Sequence, residues 1–302
     1  MTVILDGGLA TELEAAGHDL RDRLWSARIL VTEPEAIEEV HLAYFRAGAR
    51  VATTASYQAT VEGFVAAGLD ARDAIDAIRR SVELADRARR RYREELEEEG
   101  KPVPELLVAG SVGPFGAMLA DGSEYRGDYD PGKEAFERLH RPRIDALVEA
   151  GVDLLGLETI PSIAEAEVLL GLLDDSPVDA WLAYQCRDET STASGDPMRA
   201  AAAIAVHPRV IAVGVNCTAP RHVPQLLAEA RAATALPTIA YPNGGDRWDA
   251  AIRGWVSAPG GAYDPTVAAT WNESGAGWIG GCCGTTPRDI ARLSAALEDA
   301  AA

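Results

Sequence analysis

The fold is decided by Val152-Asp153-Leu154-Leu155-Gly156-Leu157-Glu158-Thr159, followed by the helical pattern Ile163–Asp174 and the apolar run Ala180–Cys186. A short, continuous apolar run suits a strand covered on both faces, and a helix between two such runs makes the strands parallel. The same unit repeats outward in both directions. Apolar runs precede it at Val3–Gly8, Ala49–Ser56 and Leu106–Gly113, and follow it at Val210–Cys217, Pro237–Asn243 and Gly277–Cys283. Helical patterns lie between them at Glu35–Ala47, Asp70–Glu99, Gly132–Ala150, Pro197–His207, Pro220–Ala233, Pro265–Ser274 and Pro287–Ala300. Proline opens several of these, where its missing N–H is no loss. Eight strand–helix units predict an α/β fold, a (β/α)8 TIM barrel, with residues 1–302 as a single domain. The competing doubly wound sheet is weakened because no Gly-x-Gly-x-x-Gly turn or Walker loop follows any strand.

Composition narrows the function. Of 302 residues, 47% are hydrophobic and 25% charged, which excludes a mostly disordered chain. The formal charge of −19 repels phosphate backbones and anionic bilayers, so neither nucleic acid nor a membrane is an expected partner. No apolar run reaches the ~18–20 residues that span a bilayer. The start, Met1 to Asp6, lacks the basic segment of a signal peptide, and a cytoplasmic protein is expected. The charge run Arg87–Glu99 reads as a solvated helix face laced with ion pairs. Glu99–Glu105 reads as a loop between a helix and the third strand. Nothing in the sequence sets an oligomeric state.

In such a barrel the chemistry sits at the carboxyl ends of the strands. Those ends carry Asp6-Gly7-Gly8, Thr53 to Tyr57, Ser111, Gly113, Glu158-Thr159, Asn216-Cys217, Tyr241-Pro242-Asn243 and Gly280 to Gly284. All four cysteines, Cys186, Cys217, Cys282 and Cys283, fall there, too few for a disulfide scaffold. The sixth and eighth strands are one strand apart, so Cys217, Cys282 and Cys283 can converge. Three thiolates suit a Zn²⁺ ion with one open position. Neighbours on a regular strand point to opposite faces, so Cys282 and Cys283 can share an ion only if the backbone leaves the strand. Gly280, Gly281 and Gly284 give it that freedom. The alternatives are buried small hydrophobes or a vicinal disulfide, and Cys186 is expected to pack. None of the five histidines falls at a strand end, which disfavours an imidazole-built hydrolytic site or a Ser-His-Asp triad. A trithiolate zinc activates water poorly but takes a substrate thiol as a fourth sulfur and deprotonates it, which points to alkyl transfer to sulfur. Asp6 and Glu158 at the mouth suit a substrate ammonium, and the N–H groups of Gly7 and Gly8 suit a carboxylate.

The motifs Asp6 to Leu13, Leu24 to Ala27, Thr54 to Ala59, Gly110 to Pro114, Glu158 to Pro161, Gly214-Val215-Asn216-Cys217 and Gly280-Gly281-Cys282-Cys283-Gly284 resemble the homocysteine S-methyltransferase family, in the family's order. The resemblance implies a catalytic zinc on Cys217, Cys282 and Cys283. It also implies homocysteine as acceptor, its amino group near Asp6 and Glu158 and its carboxylate near Gly7 and Gly8. Trp25, Tyr57 and Asn216 complete the expected substrate contacts, with Phe115 a further candidate for the pocket wall. Ser56 to Ala59 and Tyr241-Pro242-Asn243 look most like stand-alone members that use S-methylmethionine, and less well S-adenosylmethionine. Asn243-Gly244-Gly245-Asp246 departs from the relatives' usual turn. The extension of betaine-dependent members and the extra domains of cobalamin-dependent ones are not expected within 302 residues. The expected reaction is direct transfer between two small molecules. Competing readings are a methyltransferase for selenocysteine or another thiol, a non-catalytic zinc- or thiol-responsive protein, and a homocysteine-binding module that works with a corrinoid partner.

Overall fold

The computed structural model describes residues 2–20, 24–249, 254–256 and 262–301. The strands, in chain order, are β1 (Val3–Ile4), β2 (Val51–Thr53), β3 (Leu107–Val112), β4 (Leu154–Ile160), β5 (Asp179–Tyr184), β6 (Val210–Asn216), β7 (Thr238–Tyr241), β8 (Arg247–Asp249), β9 (Gly254–Val256) and β10 (Ala276–Ile279). Eight of them run parallel in the order β1-β10-β7-β6-β5-β4-β3-β2. A parallel bridge between Leu5 and Val51, with the Arg50 N–H on the Ile4 carbonyl at 2.7 Å, joins β1 to β2 and closes the ring. The predicted barrel is therefore present. β8 and β9 form a separate antiparallel hairpin, which the sequence reading did not anticipate.

The apolar strands separate two packed layers. Leu5, Val51, Ala109, Trp181, Ala212 and Ile239 fill the inside of the ring. Trp181 lies against Gly156 of β4, where an added Cβ would stand 2.6 Å from the indole, so the bulkiest interior side chain requires glycine beside it. The outer faces of the strands pack on helices through residues such as Val108, Leu155, Leu182 and Val213. Those helices begin where the sequence places start signals: Asp70 caps Ala71–Glu98, Ser162 caps Ile163–Leu172, and Pro34 opens Pro34–Arg46.

The Arg87–Glu99 run behaves as a paired helix face. Arg91 bonds Glu38 and Glu39 of the helix Pro34–Arg46 at 2.7 and 2.6 Å, and Glu95 pairs with Arg46. The segment Glu99–Glu105 links that helix to β3, as expected. No described helix is long and apolar enough to cross a membrane.

Candidate active site

The strands stop short of the residues predicted to carry chemistry. β10 ends at Ile279 and β1 at Ile4, with Leu5 still bridged, so Asp6 to Gly8 and Gly280 to Gly284 lie on loops above the ring. This departure lets two adjacent cysteines turn to one side. The Cys282 N–H is held by the Pro242 carbonyl at 2.8 Å, and the Gly281 N–H by the Asp6 carbonyl at 3.0 Å. Cys217 sits at the end of β6 in the left-handed region, φ +46°. A non-glycine residue there is costly and persists only where its surroundings impose it. Here the Cys217 N–H bonds the Tyr241 carbonyl at 3.1 Å, and Asn243 Nδ2 bonds the Cys217 carbonyl at 3.1 Å.

Through these contacts the three sulfurs of Cys217, Cys282 and Cys283 lie within 4.8 Å of one another. All three are free thiols. Cys282 and Cys283 donate to Cys217, which holds its thiol well below the ordinary range. Three converging thiols, one of them readily ionised, fit a soft divalent metal with a further position open. Cys186 is elsewhere. It is buried among the residues between sheet and helices, its N–H on Thr218 Oγ1 at 2.9 Å, in keeping with the packing role expected of it.

A cavity of about 80 Å³ adjoins the thiols. At about 10–15 Å³ per water it holds on the order of six water-sized groups, the scale of a small amino acid. Asp6 and Glu158 both line it. Asp6 accepts from the Thr53 N–H at 2.6 Å and the Thr53 hydroxyl at 2.9 Å. Glu158 accepts from the hydroxyls of Ser111 and Tyr241. Neither acid has a cationic partner in contact among the described residues. Burial, with Glu158 nearby, pushes Asp6 up to about 8, and burial beside Cys282 pushes Glu158 up to about 7. Two buried carboxyl groups directed by donors and lacking a counter-charge have the chemistry to take up a cationic group.

Other expected residues divide. Gly7, Gly8 and Tyr57 line the cavity. The Gly8 N–H is already shared by the carbonyl and hydroxyl of Thr285, both at 3.2 Å, whereas the Gly7 N–H has no acceptor among the described residues. A Cβ at Gly8 would stand 2.8 Å from the Cys282 carbonyl, so glycine is needed for the two loops to meet. Asn216 does not line the cavity. Its amide spans from Thr159 to the thiols: Oδ1 accepts from the Thr159 N–H at 2.6 Å, and Nδ2 donates to the Thr159 hydroxyl at 2.8 Å and faces Cys282 Sγ at 4.0 Å. Phe115 is also outside the wall, packed on Tyr129 and Phe136 with ring centroids 5.7 Å away. Trp25 opens the short turn Trp25–Arg28, and its side chain lies outside the described part, while the adjacent Ser26 lines the cavity.

Tyr125 is a wall residue that the sequence did not single out. Tyr125, on the turn Ser123–Tyr125 after β3, places its hydroxyl 3.8 Å from Cys217 Sγ. A tyrosine in an acidic, glycine-rich loop carries no periodic signal that would single it out.

Fold and site together define a barrel whose catalytic face presents a three-thiol, metal-competent centre beside an amino-acid-sized cavity. The model of the homocysteine S-methyltransferase family matches residues 3–297. The chain is 49% identical over 298 residues to the homocysteine S-methyltransferase of Escherichia coli, covering 97% of this chain and 94% of that one. It is 42% identical over 299 residues to a selenocysteine Se-methyltransferase of Brassica oleracea, covering 95% and 86%. The metallated form of the Escherichia coli homocysteine methyltransferase MmuM superposes with a TM-score of 0.85 at 47% identity, covering 97% of this chain and 96% of that one. The chain belongs to the homocysteine S-methyltransferase family.

Proposed function

We propose that this protein transfers a methyl group from a sulfonium donor, S-methylmethionine or S-adenosylmethionine, to the sulfur of L-homocysteine, giving methionine. The observation that carries this reading is the three-thiol cluster opening onto a cavity that also presents two buried carboxylates. Residues 1–302 act as one homocysteine-binding barrel domain, and the enzyme works in the cytoplasm.

Cys217, Cys282 and Cys283 would hold the metal, and an all-sulfur set with a further position open suits zinc. When bound, zinc supplies the Lewis acidity that keeps a substrate thiol ionised near neutral pH. Asp6 and Glu158 bind the ammonium of homocysteine, oriented by Thr53, Ser111 and Tyr241. The Gly7 N–H is the donor left for the carboxylate. Tyr57 and Tyr125 wall the cavity next to Cys217, and their ring faces favour a sulfonium cation. The homocysteine sulfur forms a bond to the donor methyl as the donor's own S–CH₃ bond breaks. That electron pair stays on the departing sulfur, which leaves as a neutral thioether. No proton moves in this step, so the protein's part is alignment and exclusion of water.

The test is methionine formation by mass spectrometry, with homocysteine and S-methylmethionine, S-adenosylmethionine or betaine in separate reactions and Cys217→Ala as control. Turnover with a sulfonium donor, lost in the variant, is expected. A metal-loaded protein inactive with every donor would overturn the reading. The Brassica relative favours a second acceptor, the selenol of selenocysteine, which competition between the two acceptors would rank.

A further inference from the structure

Behind the cavity wall lies a charged cluster in which no side chain reaches solvent. His140 and Arg143, three residues apart on one face of the helix Lys133–Glu149, are fully buried, as is Glu165 in the first turn of Ile163–Leu172. Arg143 Nη2 lies 2.8 Å from His140 Nδ1, and His140 Nε2 lies 2.8 Å from Glu165 Oε1. Arginine only donates, so Nδ1 must accept. The proton is therefore on Nε2, and a neutral imidazole connects one buried cation to one buried anion.

Such a set is rarely the most stable way to fill a core, because apolar residues of the same volume often do as well or better. Its remaining hydrogen bonds lead to the mouth of the barrel. Arg143 donates to the Tyr57 carbonyl at 2.8 Å and to the Gly113 carbonyl at 2.5 Å. Glu165 accepts the Phe115 N–H at 2.6 Å and the Tyr129 hydroxyl at 2.7 Å. Phe115 and Tyr129 flank the turn that carries Tyr125 to Cys217. The Tyr57 ring lies on Gly113 so closely that a Cβ there would stand 2.7 Å from two ring carbons. The groups that would receive homocysteine are fastened by others: Asp6 by Thr53, Glu158 by Ser111 and Tyr241, Cys217 by Asn243.

We propose that Arg143, His140 and Glu165 are positioning residues for the methyl donor, a buried strut that sets where Tyr57 and Tyr125 stand over the thiols. This rests on the donor-side reading of those two tyrosines. Arg143→Lys keeps the charge but cannot hold two carbonyls with a rigid fork. Glu165→Gln keeps the shape but loses the anion. Gly113→Ala leaves all three charges in place and drives a Cβ against Tyr57 itself, 2.7 Å from its ring and 2.6 Å from the carbonyl that Arg143 holds.

Steady-state kinetics, metal content and melting temperature are measured for all three variants. The expected result is a kcat lower by about tenfold or more, since small misplacements of a reacting group cost up to about a hundredfold. The donor KM changes as well, while homocysteine KM stays within about twofold and metal content is unaltered. Gly113→Ala must share this pattern. Variants that keep metal and every kinetic constant would overturn the proposal. So would a parallel fall of kcat, homocysteine affinity, metal content and melting temperature, or failure of all three to fold, since each marks a merely structural cluster. An inactive wild-type protein would instead strike the function proposed above.

Discussion

Trp181 donates its indole N–H to the Tyr241 hydroxyl across 2.8 Å inside the barrel, the two rings meeting edge to face. The Tyr241 hydroxyl in turn donates to Glu158. The packed interior of the ring thus dictates the direction of a carboxylate at its mouth. Tyr241→Phe removes a donor from Glu158 and leaves a buried indole N–H unpaired, each worth about 1–3 kcal/mol. The expected outcome is a homocysteine KM raised about tenfold, with a lower melting temperature. Trp181→Phe keeps the Tyr241–Glu158 bond and should lower the melting temperature with little change in KM. Kinetics beside thermal melts of both variants checks this, and equal KM shifts in the two would count against it.

Metal dependence should follow the sulfur geometry. Cys217→Ser removes one of three clustered thiols, whereas Cys186→Ser touches a thiol buried away from them. Plasma mass spectrometry should find zinc lost from the first variant and retained in the second. A strong chelator should abolish wild-type turnover, and added Zn²⁺ should restore it. Full metal content in Cys217→Ser would refute the assigned ligand set.

The ring was legible in the sequence because buried parallel strands leave an unmistakable trace, and each of the eight apolar runs overlaps an observed barrel strand. The convergence of Cys217, Cys282 and Cys283 was legible because their strands stand one apart in the ring and glycines flank the adjacent pair. The hairpin of β8 and β9 was not, since a short pairing within a loop needs no apolar run. Tyr125 and Asn216 show a further limit: the sequence gives a side chain's type and strand position but not its aim. Asn216 was expected at the substrate; its amide bonds Thr159, at φ +59°, and faces Cys282 Sγ at 4.0 Å.

That placement is itself testable. Asn216→Ala leaves the buried Thr159 N–H without its acceptor and unsupported in a left-handed conformation, at a cost of about 1–3 kcal/mol. Stability by denaturant titration should fall by that amount. Homocysteine KM should rise less than in Tyr241→Phe, because Asn216 does not line the cavity and reaches it only through Cys282 Sγ. A large KM effect with unchanged stability would restore Asn216 to direct substrate contact.

His41, on Pro34–Arg46, is fully buried, and neither ring nitrogen has a partner among the described residues. Burial pushes its pKa down from 6.5 to about 4. Between those values the unfolded chain takes up a proton that the folded chain refuses. Stability linked to His41 is therefore complete above pH 6.5 and falls as the pH drops towards 4. At pH 5 the loss is about 2 kcal/mol. His41→Leu removes the titrating group and a buried, unpaired N–H, so at pH 7.5 it should be about neutral or mildly stabilising. Denaturant unfolding of the two proteins at pH 7.5 and pH 5 isolates the effect, because acid release of metal is common to both. The variant should lose about 2 kcal/mol less on acidification. Equal losses would mean that the imidazole finds a proton acceptor or water in the folded state and does not contribute to acid sensitivity.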